Sequence, residues 1–334
     1  MKDQTKLQMK THKESPRMAE NRLTNGEFGQ VLWAPAKSLW YTSHLFIAVV
    51  GGAYFFSLSA LAVFIVFTAT TVCLGHSLGM HRRLIHSSYE CPKWLEYFFV
   101  HLGVLVGMAG PLGMTHQHDL RDWAQRKPRC HAYLRHGSGI IKDAWWQLHC
   151  DLKLDHAPEF LPEDDLKQDR IYRFMESTWM LQQLPWAIVL FYFGGVSWVV
   201  WGISARIVVS ITGHWLVGYF AHNEGERDWH VNGAAVQGHN VRFAGLLTMG
   251  ESWHNNHHAF PGSAMLGLYQ NQSDPGWWVL NRLMNLGLVW NVKLPADLDY
   301  REELMPIDQR SQVRGAVKLP QKCPLLSHFQ QASS

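Results

Sequence analysis

The chain has 334 residues, with 30 Lys+Arg against 27 Asp+Glu and a net charge of +3. So even a balance excludes the concentrated basic surface of a nucleic-acid binder, and 47% hydrophobic with 17% charged residues excludes a disordered or collagen-like chain. Histidine, the commonest metal ligand, occurs 20 times, and tryptophan, a residue of membrane interfaces, 16 times.

Residues 1–37 are polar and of mixed charge, without the apolar core of a signal peptide, and read as a flexible cytosolic tail. From Ser38 to His81 there is no Asp, Glu, Lys or Arg. A bilayer crossing takes about 20 apolar residues, so this stretch is expected to cross twice, near 39–56 and 58–79. The run Tyr97–His118 is also uncharged. A second long region, Ser177–Asn223, carries one charge, Arg206, and Gly194-Gly195 divides it into expected spans near 179–194 and 198–221. Arg206 either snorkels to an interface or faces protein or a water-filled cavity. Lys and Arg crowd the N-terminal segment and follow the first hairpin as Arg82 and Arg83, while neither hairpin tip carries any. The positive-inside rule then places the N-terminus and the segments after each hairpin in the cytosol.

Three histidine constellations fall on that side. The first is H-R-R-L-I-H, with His81 and His86; the third is H-N-N-H-H, with His254, His257 and His258. On a helix, positions i, i+3 and i+4 share a face, so three imidazoles can converge on a metal. Imidazole suits iron, zinc, copper and nickel alike. His222, in H-x-x-G-x-R-x-W, is a single candidate at the cytosolic end of the last span. The five cysteines, at 73, 91, 130, 150 and 323, form no C-x-x-C pair and do not read as a zinc site or a disulfide framework.

H-R-R-L-I-H, Arg206 nine residues before Trp215, His222 in its motif, G-E-S-W-H-N-N-H-H-A-F-P-G-S-A over 250–264 and the later D-P-G-W-W-V-L resemble the membrane-bound fatty acid desaturases, in particular the acyl-CoA Δ9 (stearoyl-CoA) type and its bacterial relatives. The resemblance covers roughly 35–295. It implies an all-α polytopic membrane protein: four transmembrane helices in two hairpins with a cytosolic helical cap. The desaturase domain would be 38–295, with a C-terminal cytosolic tail at 296–334. It also implies two iron ions that use O2 and two electrons to introduce a double bond into a fatty acyl chain linked to CoA, carrier protein or lipid. The electron donor would be a separate protein, ferredoxin or cytochrome b5 with its reductase, since 296–334 is too short for a fused one. The lipid bilayer is the other partner, a bacterial inner membrane the expected location. Because every box must meet at one site, 97–118 is expected to be a re-entrant, interfacial or buried helix that does not cross.

One box departs from the family pattern. The second box reads H-x-x-H-H in the family; here Gly110-Pro111 leads to His118, with Arg121 and Asp122 at the other two positions. An alternative anchoring would put Lys127, Cys130 and His131 there. Arg121 keeps its proton and cannot ligate, whereas the Asp122 carboxylate can. The family also tends to carry Asn four residues before the lone histidine, where this chain has Gly218. The metal ligands implied are His81, His86, His118, His222, His254, His257 and His258, with Asp122 as a possible addition. Glu251, Asn255 and His76 are candidates to support them. His116, His131, His149, His214 and His239 read as surface or outer histidines. The departures also leave open a related lipid hydroxylase, or a non-catalytic lipid-binding protein on the same fold.

Overall fold

The computed structural model describes residues 16–307. The described residues are mainly helical, with three two-stranded antiparallel ribbons among them. α1 begins at Pro35, where a missing N–H costs nothing, and runs through Pro35–Phe46, a wide-turned stretch Ile47–Gly51 and Gly52–Tyr54. A short turn follows. Ser57 caps α2, accepting from the Ala60 N–H at 3.1 Å, and α2 continues unbroken over Leu58–Ile85. α3 is Lys93–Val104, α4 Pro111–Gln125, α5 Ile140–His149 and α6 Arg170–Ser177. α7 spans Gln183–Asn223 and is broken at Gly195, whose φ of 63° and ψ of −158° are non-helical. The break falls at the expected Gly194-Gly195 division. Leu190 lies against Gly202, so the chain turns back on itself there. α8, His254–Ala259, carries the third histidine box, and α9 is Pro275–Asn285.

Two of these helices, α2 and α7, are long and apolar enough to cross a membrane, and only 22% and 28% of their most apolar stretches is buried. Leu58, Ile65, Val66, Ile188, Phe191 and Phe193 face outward. A water-soluble protein rarely exposes so large a contiguous apolar surface. The turn after α1 and the break in α7 sit side by side: Ser197 Oγ donates to the Phe55 carbonyl at 2.6 Å and Trp198 Nε1 to Ser59 Oγ at 3.0 Å.

The uncharged run 97–118 is not one continuous helix. It is divided between α3 and α4 by a turn in which Gly107 has φ +89°. α3 lies buried against α2, and the approach is close because both partners are small where they cross. A Cβ on Gly75 would stand 2.3 Å from the Gly103 nitrogen, and one on Gly79 would stand 2.6 Å from the Phe99 carbonyl carbon. Arg206 does not snorkel. It is buried, donating Nε to the Gly202 carbonyl at 2.7 Å, Nη2 to Gln183 Oε1 at 2.6 Å and Nη1 to the Leu105 carbonyl. It thereby ties the turn after α3 to both halves of α7.

The N-terminal segment departs from the flexible tail expected. β2, Gly29–Trp33, pairs with β3, Cys150–Leu154, and β1, Met18–Ala19, with β4, Glu159–Phe160. Arg17 is buried, donating to Glu163 at 2.7 Å, to Asp119 at 3.1 Å and to the Ile85 carbonyl at 3.0 Å. Polar composition hides these pairings, because the strand partners lie more than a hundred residues away. The third ribbon joins β5, Trp229–Val231, to β6, Leu304–Pro306, so residues up to 306 in the expected C-terminal tail are also tied down. The rest of both tails, with Cys323, lies outside the described residues.

Candidate metal centre

The seven histidines named from the sequence gather in two groups. His81, His86, His118 and His257 form one, and His222, His254 and His258 the other; within each, one nitrogen from every ring lies within 4.8 Å of the rest.

The winding of α2 explains the first pair. Five residues separate His81 from His86, which on an α-helix of 3.6 residues per turn would leave them about 140° apart. Over Thr71–Ile85 the helix takes wider π turns, and the His86 N–H donates to the His81 carbonyl at 3.1 Å. In i→i+5 winding, positions five apart come closer to one face than on an α-helix, and the two ring centroids come within 4.8 Å. α4 brings His118 to within 4.9 Å of the His86 ring, and α8 brings His257 to within 4.6 Å of His81. The three imidazoles of the third box therefore do not converge on one point: His257 joins the first group, and His254 and His258, one turn apart, join the second. There His254 Nε2 lies 3.0 Å from both His222 Nε2 and His258 Nε2.

The donor set fits two metal ions. Both ring nitrogens of His257 and the Nε2 of His86 are buried without a hydrogen-bond partner. Unsatisfied buried polar atoms are costly unless something fills them. In the second group, three Nε2 atoms point at one another. In two of the rings the nitrogen opposite the ligating one is held as metal sites require: His222 Nδ1 donates to the Gly218 carbonyl at 2.7 Å, and His81 Nδ1 meets the Glu251 carboxylate at 2.6 Å. Burial, then the neighbouring imidazoles, pushes His86, His257 and His258 well below the ordinary histidine range, and burial brings His254 down to about 4. The rings are thus kept neutral, the form that binds metal. His118 moves the other way: burial opposes its charge, but Asp122, Asp119 and Glu251 outweigh it.

Glu251 has the supporting position expected of it. Ser77 Oγ donates to its Oε1 at 2.6 Å, and buried Arg82 reaches the same oxygen at 3.3 Å and Asp274 at 2.8 Å. Burial works against its charge, yet His81 and Arg82 hold the carboxyl well below the usual range. Asp274 in turn caps α9 through the Trp277 N–H at 2.9 Å and accepts from Leu266 N–H at 2.8 Å, so one ion-pair chain fastens α2, the third-box loop and α9. Asn255 differs from expectation. Its amide bridges the Asp228 and Trp229 N–H groups to the Trp229 and Gly238 carbonyls, a backbone brace behind α8. His76 is buried beside His214, ring centroids 5.0 Å apart, outside both groups. His116, His131, His149 and His239 likewise stay outside: His116 packs on Phe160, His131 on Trp146 and His149 on Trp145, and His239 meets the Ala221 carbonyl.

Asp122 is buried one turn beyond His118 and lies outside both groups as drawn. Burial would raise its carboxyl, but His118, Arg126, His258 and His254 together hold it well below the usual range, so it stays an anion. Arg121 turns away from both histidine groups. It donates to the Leu134 carbonyl at 2.8 Å, to Gln147 at 2.9 Å and to His136 Nε2 at 2.9 Å.

Sequence reasoning passed over His136. Its Nδ1 donates to buried Asp143 at 2.8 Å, and its ring stacks on His222, centroids 5.4 Å apart and planes 13° apart. A Cβ on Gly218 would lie 2.9 Å from His136 Nε2. The glycine found where the family tends to carry Asn therefore makes room for an imidazole. That unexpected glycine was the one signal in the sequence that something else occupies the space.

No protein-family model matches the chain. Among curated proteins, an sn-1 stearoyl-lipid 9-desaturase of Anabaena variabilis is 35% identical over 268 residues, covering 76% of this chain and 94% of its own. An acyl-CoA 5-desaturase of Anemone leveillei is 32% identical over 281 residues, 79% and 84% of the two chains. A Delta-9 acyl-lipid desaturase of Arabidopsis thaliana is 31% identical over 238 residues, 70% and 75%. The chain belongs to the fatty acid desaturase family, whose members are oxidoreductases.

Proposed function

We propose that this desaturase uses two iron ions, one in each histidine group, to introduce a double bond into a fatty acyl chain. The observation that carries the reading is the division of seven buried or half-buried imidazoles into two adjoining groups in a chain whose relatives are named as desaturases. Those names do not favour the hydroxylase or the non-catalytic alternative.

When bound, the iron pair supplies O2 activation and the removal of hydrogen from an unactivated carbon. The protein's own work is positioning. Glu251 and the Gly218 carbonyl fix the ring orientation of His81 and His222. Asp122, ionised, adds a carboxylate oxygen where the family carries imidazole. Burial of α8 keeps its histidines from bulk water.

Four helical passes support four spans in two hairpins: α1, α2 and the two halves of α7, with the turns at 55–57 and 195 at one end. Lys and Arg of the N-terminal segment, with Arg82 and Arg83, support a cytosolic metal site and termini, in a bacterial inner membrane. The acyl substrate reaches the site from the bilayer as a CoA, carrier-protein or lipid ester, and ferredoxin or cytochrome b5 with its reductase delivers two electrons.

Mass spectrometry of acyl chains from cells expressing the protein tests the reading. Loss of two hydrogens per chain is expected. Gain of one oxygen would make it a hydroxylase, and unchanged chains in cells with an active donor would contradict catalysis.

A further inference from the structure

We infer that Gln125, through its side-chain carbonyl, is an oxygen ligand of the metal held by His222, His254 and His258; this rests on the two-metal reading above. Gln125 is the last residue of α4 and is 1% exposed. Its Nε2 donates to the Leu134 carbonyl at 2.8 Å. The same carbonyl also accepts from Arg121 at 2.8 Å. Two donors on one acceptor fix which end of the amide is which, because a flipped amide would set oxygen against oxygen.

Gln125 Oε1 consequently faces His222 Nε2 at 3.1 Å. The His222 ring is oriented from its other side: Nδ1 lies 2.7 Å from the Gly218 carbonyl, which can only accept, so Nδ1 carries the proton and Nε2 a lone pair. Two acceptors thus meet at 3.1 Å with no proton between them. His254 Nε2 comes to 3.0 Å from the same His222 atom. Converging lone pairs of this kind are satisfied by a cation. An amide carbonyl is a hard oxygen donor of the sort that joins imidazole around divalent metals.

The assignment explains the altered second box. Arg121 replaces an imidazole, but its guanidinium anchors the Leu134 carbonyl against which the Gln125 amide is set. Gln125 gives the second group an amide oxygen beside its three imidazoles, where the first group has four imidazoles, so the two ions are chemically unlike.

The test is Mössbauer spectroscopy and iron analysis of detergent-purified protein loaded with iron-57. The wild type should hold about two irons per chain, one for each group, and show two distinct quadrupole doublets. Gln125→Leu should leave one doublet unchanged and weaken iron binding at the other by at least about 10-fold, the lower bound for losing an outer partner. Gln125→Glu, which keeps an oxygen, should retain both irons and shift only that doublet. Both doublets unchanged and two irons retained in Gln125→Leu would overturn the assignment while leaving the two-metal reading intact. One iron or none in folded wild type would overturn both. Should Gln125→Leu not fold, Gln125→Asn, one methylene shorter, decides: the second doublet must change.

Discussion

His257 and His258 are consecutive in the chain and belong to different histidine groups. The His257 ring lies 4.6 Å from His81, whereas His258 Nε2 is 3.0 Å from His254 Nε2. Successive residues on a helix are turned by about 100°, so a six-residue helix laid between the groups serves both. His257→Ala and His258→Ala should each remove about one iron per chain, leave helical content unchanged and abolish product. Metal analysis of the two variants, with product measured in parallel, checks this; two irons kept by either would place its imidazole outside the site.

Glu251 orients His81 and partners Arg82 inside the protein. Glu251→Gln keeps the shape and removes the charge. It should cost about 10–100-fold in metal affinity, the usual effect of an outer partner, read by competition with a chelator. Glu251→Ala should also lower thermal stability, since Arg82, 1% exposed, keeps only Asp274 as an acidic partner.

The crossing of α2 over α3 depends on small residues. Gly79→Leu places carbon within 2.6 Å of the Phe99 backbone, which cannot move aside as a side chain can. We expect loss of folded protein, seen as failure to elute as a single species in detergent. Gly139→Ala, where nothing lies within 4 Å of the added carbon, should behave as wild type.

Acid should destabilise the metal-free protein. Folding lowers His86, His254, His257 and His258 from the ordinary 6.5, His254 to about 4, and raises His118. For a lowered imidazole the unfolded chain binds more protons as pH falls through 6.5, so stability is full above that value and declines towards 4. Four such groups outweigh one of opposite sign. The unfolding temperature of metal-free protein should fall between pH 7.5 and pH 5, and the fall should shrink when metal is bound, because ligation excludes the proton.

The histidines that gather in the two groups were legible because histidine is costly to bury without a purpose and these cluster beside apolar spans. Their division was not legible. It depends on which neighbours α2 and α4 bring to α8, and on π winding that makes a spacing of five, unsuited to an α-helix, place His81 beside His86. Gln125 and His136 left little trace, being single polar residues whose meaning comes from Leu134, Arg121 and Gly218 around them. The break at Gly195 was legible because paired glycines interrupt an apolar run. The order of 16–33 was not, since a ribbon formed with 150–160 carries no local periodicity.

The most direct test of the account is iron per chain in purified, folded protein. About two are predicted, one for each histidine group, despite the arginine and aspartate in the second box. One iron or none, with helical content intact, would contradict a two-metal desaturase.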